Sequence, residues 1–154
     1  MKAYPDTSFL CSLYRRQDQS EEALAYRKRM TEPLHVTRLL LWEFRQGARF
    51  QAFRHSHNRQ MGYPLTEAEK MIAKISEHLE AGIIRMVNCD LTDILITAEH
   101  LSKTRTHSGG HRSLDILHVA TALVLGAEEF LSFDANQCAL AQAEGLATPL
   151  AAAG

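Results

Sequence analysis

The stretch "SLDILHVATALVLGAEEFLSFDANQ", Ser113 to Gln137, decides the fold. Its first half is almost pure Leu, Val and Ala at helical length, with no broad polar stripe, so the helix reads as buried. Gly126 and Ala127 turn the chain into a short strand, "EFLSF", and "NQCALAQAEG" opens another helix. A buried helix feeding directly into a short apolar strand belongs to a parallel sheet covered on both faces. Two carboxylates bracket this unit. Asp115 opens the helix, Asp134 closes the strand, and no Lys or Arg within the stretch stands ready to pair with either.

The same alternation extends towards the N-terminus. "KAYPD", "PLHVT" and "IIRMV" read as strands and "LATPL" as a last extended piece. Between them "SFLCSLYRR", "SEEALAYRKRM", "LLLWEFRQGARFQAFRH", "TEAEKMIAKISEHLEAG" and "LTDILITAEHLSK" read as helices. Expected caps are Asp6, Ser20, a Thr66…Glu69 box with a terminal Gly82, Ser113, and an Asp134…Gln137 box. "RTHSGGH" reads as a flexible loop before Asp115. The fold class is α/β, with residues 1–150 as one domain and 151–154 as a tail.

Composition narrows the function. Hydrophobic residues are 45% and charged residues 23% of 154, ordinary for a globular protein that buries a core. A net charge of −1 gives no global basic field, so any nucleic acid must be met by local patches. Cys11, Cys89 and Cys138 lack CxxC spacing, which argues against a disulfide framework and a zinc site. No signal peptide and no apolar run of membrane-spanning length is visible, and the expected location is the cytoplasm.

The acids carry the chemistry. Asp6 follows the first strand and Asp134 the strand "EFLSF", so both lie at the carboxyl edge where open parallel sheets bind ligands. Glu43 has Leu39, Leu40, Gly47 and Phe50 as wheel neighbours, and a glutamate on an apolar side is costly unless something positive meets it. Each acid also has a local reading, as helix cap or dipole partner. Four carboxylates at one edge would repel one another. A hard divalent cation relieves that repulsion, prefers oxygen ligands, and can activate water for phosphodiester hydrolysis.

"YPDTSFL", the isolated Glu43, and "RSLDILHVATALVLGAEEFLSFDANQCALAQAEGL" together resemble the PIN-domain nucleases, and among them the VapC-type toxins. The resemblance spans nearly the whole chain, densest in the first ten residues and from Arg112 to Leu146. It implies a three-layer α/β/α sandwich with a mostly parallel central sheet, and Mg²⁺- or Mn²⁺-dependent endoribonuclease activity. By position it implies Asp6, Glu43, Asp115 and Asp134 as the catalytic, metal-holding acids, with Asp6 and Asp115 in direct contact. Thr7 and Ser8 match the hydroxyls beside the first acid and would orient that acid or a phosphate. The segment from about His55 to Met86 is longer than in a minimal toxin.

RNA has two acid-free segments to meet. One, between Glu43 and Glu67, holds Arg45, Arg49, Arg54 and Arg59, and the other, from His100 to Leu114, holds Lys103, Arg105 and Arg112. The resemblance further implies a small antitoxin covering the acidic centre and a homodimer. His111 and His118 are candidate bases, but His118, within a largely apolar helix, reads better as structural. The alternative function is a PIN-like RNA- or protein-binding module without catalysis. A phosphoacceptor role for Asp6 would want an acidic pair near the first strand and a strand-end Lys, and the sequence offers neither.

Overall fold

The computed structural model describes residues 1–151, and the rest of the expected tail lies outside the described residues. Four three-residue strands form two parallel two-stranded ladders side by side in one layer: β1 Ala3–Pro5, β2 Leu34–Val36, β3 Ile84–Met86 and β4 Glu129–Leu131. β1 pairs in parallel with β4, Tyr4 opposite Phe130, and β2 pairs in parallel with β3, Val36 opposite Met86. β1 also packs beside β2, with no ladder between them among the described residues, so the order across the layer is β3-β2-β1-β4. Ala147, in the expected last extended piece, adds a parallel bridge to Glu129. All three residues of β1 are buried, the mark of a strand covered on both faces.

Eight helices complete the described chain: α1 Thr7–Tyr14, α2 Ser20–Arg29, α3 Arg38–His57, α4 Leu65–Glu80, α5 Leu91–Leu101, α6 His107–Gly109, α7 Ser113–Val124 and α8 Ala135–Ala143. α7 buries Ile116, Val119, Ala120 and Ala122 together with Asp115 and His118, as its composition predicts. It ends where Gly126 takes φ +66° and Ala127 N donates to Ala122 O at 3.0 Å. That left-handed glycine aims the chain into β4.

Three of the expected caps fail for one reason: the helix starts earlier than its hydroxyl suggests. Ser20 is the first residue of α2, and its Oγ donates to Arg15 O and accepts from Gln17 N. α4 begins at Leu65 behind Pro64, which leaves Thr66 inside the first turn and no capping box. α7 begins at Ser113 with Arg112 in the cap position and no side-chain cap bond. Gly82 does close α4, at φ +70° with Ile83 N bonded to His78 O. The "RTHSGGH" loop is also corrected. Ser102–Thr106 widens into a π-helix and α6 follows, tied to the end of α8 by Arg105, which bonds Glu144 at 2.8 Å and Ala143 O at 3.1 Å. Gly110, at φ +64°, ends the helical run.

Among the described residues no helix is long and apolar enough to cross a membrane. All three cysteines are free.

Candidate active site

Asp6 comes first because β1 delivers it straight to the N-terminus of α1. Its backbone N–H still belongs to the sheet, donating to Leu131 O at 2.9 Å. Its side chain caps α1, accepting from Phe9 N at 2.9 Å. Ser8 Oγ donates to the same oxygen at 2.7 Å, and Ser132 Oγ donates to the other at 2.6 Å. The residue is fully buried. Burial pushes its carboxyl above the ordinary value, against the pull of Ser132, Phe9 and Ser8 on the charged form. Ser132 also accepts from Asp134 N at 2.9 Å, so one hydroxyl links the first acid to the last.

Glu43 is met from two sides. Thr7 Oγ1 donates to its Oε2, and His118 Nε2 bonds the same oxygen. His118 is 1% exposed, and its Nδ1 lies 3.4 Å from the Tyr4 hydroxyl, which in turn lies 3.2 Å from Thr37 Oγ1. Burial pushes Glu43 up, but the His118 and Thr7 contacts outweigh it and hold the carboxyl below its ordinary value. The partner that an apolar-side glutamate demands is therefore His118, one turn beyond Asp115. Thr7 and Ser8 divide their labour, Thr7 holding Glu43 and Ser8 holding Asp6.

Asp115 and Asp134 correct the sequence reading. They are not left without a counter-charge in the chain. Arg112, one residue before the quoted stretch, bonds Asp115 Oδ2 at 3.1 Å and reaches Asp134 Oδ2 at 4.0 Å. Its guanidinium also lies within electrostatic range of Glu43. Arg112 sits at the extended cap position of α7, so its side chain folds back over the first turn. Asp115 is buried, while the Arg112 side chain is 78% exposed. Asp134 caps α8 through Gln137 N at 2.9 Å, as expected. The return bond of the box is missing, because Asp134 N donates to Ser132 Oγ instead, and Gln137 Oε1 is buried without a partner among the described residues.

The donor set suits a hard cation in kind. It is all oxygen, and each acid keeps acceptor capacity: a second lone pair on Asp6 Oδ2, and Glu43 Oε1, Asp115 Oδ1 and Asp134 Oδ2 without hydrogen bonds from described residues. The spacing is looser than an inner shell. Among the described residues no three His, Cys, Asp or Glu side chains stand close enough to enclose an ion directly. Mg²⁺ asks for one or two carboxylates and keeps several waters, so the arrangement fits a water-rich site rather than an all-protein cage.

Comparison with known proteins decides the family. The PIN domain family model matches residues 3–143. The chain belongs to the PIN domain family. Two solved structures share its fold. Mycobacterium tuberculosis VapC20, a sarcin-ricin loop cleaving toxin, superposes with TM-score 0.63 at 16% identity, over 90% of this chain and 94% of VapC20. FitAcB from Neisseria gonorrhoeae superposes with TM-score 0.59 at 19% identity, over 95% of each chain. No curated protein sequence matches the chain. The α/β architecture with parallel strands inferred from "SLDILHVATALVLGAEEFLSF" is thus the PIN fold.

In this PIN domain Ser132 and Tyr4 escaped the sequence reading. Ser132 looks like any strand serine, and the only hint was its place two residues before Asp134. The two basic segments also separate. Lys103 pairs with Glu99, Arg105 with Glu144 and Arg112 with Asp115, whereas Arg45 and Arg49 form no ion pair among the described residues.

Proposed function

We propose that this PIN domain is a Mg²⁺- or Mn²⁺-dependent endoribonuclease, the toxin of a type II toxin–antitoxin pair acting in the cytoplasm. The observation that carries the reading is the acid set itself: four carboxylates in one neighbourhood, each pre-aimed by chain partners and each keeping unused acceptor capacity. Asp6 and Asp115 would hold the ion directly, and Glu43 and Asp134 would hold it through water. A bound ion would lower the pKa of a water and neutralise charge on the phosphodiester oxygens. The chain's own work is positional. Ser8 and Ser132 fix Asp6, while Thr7 and His118 fix Glu43. His118 has its Nε2 committed to Glu43, so it serves as a positioning residue and not as the base.

VapC20 cleaves an RNA loop on the same fold, which supports the reaction class. At 16% identity it does not carry the target. An antitoxin and a second copy are the proposed protein partners. Purified protein should cleave RNA only with Mg²⁺ or Mn²⁺, and Asp6→Asn or Asp115→Asn should abolish cleavage. Full cleavage by either variant ends the assignment.

One observation favours the second reading, a binding module without catalysis: Arg112 already neutralises the outer acids. A Mn²⁺ titration separates the two, since a metal-holding site raises the melting temperature and loses that rise in the acid variants.

A further inference from the structure

The longest helix turns an unusual face to solvent. α3 buries Leu40, Leu41, Phe44, Ala48 and Ala52, and on the opposite side it exposes Trp42 (56%), Phe50 (52%) and Phe53 (55%). Phe50 and Phe53 are stacked, with centroids 6.1 Å apart and planes 20° from parallel, and His57 lies 4.3 Å from the Phe53 ring. The aromatics span about 16 Å of helix axis, from the rise per residue. Exposed Arg38 and Arg49 lie on the same side.

We propose that this face of α3 is a stacking platform for single-stranded RNA, laid beside the acidic site. The inference rests on the ribonuclease reading and adds where the substrate lies. Bases stack on aromatic rings whatever their sequence, and arginines beside the rings take the phosphates. Charge points to an anion. No acid occurs between Glu43 and Glu67, and Arg38, Arg45, Arg49 and Arg54 form no ion pairs among the described residues. The facing acid is Glu69 of α4, which lines a shallow groove with Arg49.

Continuity with the site is built into the helix. Glu43 adjoins Trp42 in sequence and shares its wheel position with Phe50. Gly47 lies one turn further on, and a Cβ there would meet nothing within 4 Å. A chain resting on the aromatics therefore has an open path past Gly47 to Glu43. A second copy fits this face less well, because a two-fold contact would bring two copies of the same basic segment together, with no acid between Glu43 and Glu67 to meet the arginines.

Trp42 is the sole tryptophan, so its fluorescence reads the platform directly. The titrant is an unstructured oligoribonucleotide of about 12 nucleotides, within the usual site size for single strands, added in EDTA so that nothing is cut. Saturable quenching is expected, weakening with salt, and absent with a blunt duplex of the same sequence. Phe50→Ala/Phe53→Ala, at exposed positions that leave the fold intact, should weaken Kd about tenfold. No quenching, or an unchanged Kd in the double variant, overturns the platform. So does a concentration-dependent Trp42 shift with dimer sedimentation in the absence of RNA. RNA cleavage with Mn²⁺ is measured in parallel. Cleavage without quenching sinks the platform alone, and quenching without cleavage sinks the nuclease reading while leaving the binding face.

Discussion

The inner and outer halves of the acidic site are built in opposite ways. Asp6 and Glu43 are held from within, by Ser8, Ser132 and Phe9 N on one and by Thr7 and His118 on the other. Asp115 and Asp134 take their counter-charge from without, from a guanidinium that is mostly in water, although Asp134 also caps α8 through Gln137 N. The inner pair has its geometry fixed at folding, because every partner is part of the core or of a helix end. The outer pair has an adjustable counter-charge, because an exposed ion pair is worth little and is easily exchanged. On the proposed nuclease reading, a cation and a polyanion would enter in turn, and such a site would use both: fixed oxygens to define a place, and a charge that can leave it.

The largest expected effect tests the fixed half. Asp6→Asn should lower RNA cleavage about 100-fold or more, since even partners behind a metal ligand matter 10- to 100-fold. Its melting temperature should hold or rise, because a buried carboxylate whose pKa burial raises is a cost that the amide removes. A variant that loses activity only by unfolding would show that Asp6 is merely a cap. Next comes His118→Leu, which strips Glu43 of its partner and the Tyr4 hydroxyl of a neighbour. A loss of about 2–3 kcal/mol by urea unfolding is expected, the scale for orphaning a partly buried charged group. Adding Glu43→Gln should recover part of it, a coupling that independent residues would not show. Ser132→Ala removes the donor to Asp6 and the acceptor for Asp134 N, for about 1–2 kcal/mol. Equal losses in the Ser132 and His118 variants would erase the ranking within the inner half.

Much of this was legible in the residues. The Leu/Val/Ala run from Leu114 to Val124 has one buried solution, and β4 follows from it. The isolated Glu43 announced a hidden partner, which three-dimensional packing supplied as His118, 75 residues away. What was not legible depended on where helices start and side chains fold back. Ser20, Thr66 and Ser113 failed as caps because each already lies within its helix, a shift of one or two residues that periodicity cannot resolve. Arg112 was overlooked as a partner of Asp115 because a pairing three residues back crosses the helix boundary. The glycines of "RTHSGGH" suggested a loop, yet Arg105, anchored on α8, keeps the chain helical as far as Gly109.

The smallest expected effect is the sharpest test of the outer half. Arg112→Ala should lower the melting temperature only slightly, since a side chain 78% exposed contributes little through its ion pair and its removal opens the buried Asp115 to water. The same variant should bind Mn²⁺ about two- to fivefold more tightly, read from the metal dependence of the melting temperature. The sign follows from charge alone: removing a cation from beside Asp115, Asp134 and Glu43 leaves the carboxylates less neutralised, and a divalent ion gains what the arginine gave up. Were the variant instead to lose much stability and bind metal no better, Arg112 would be a structural clamp and the two halves of the site would be equally rigid.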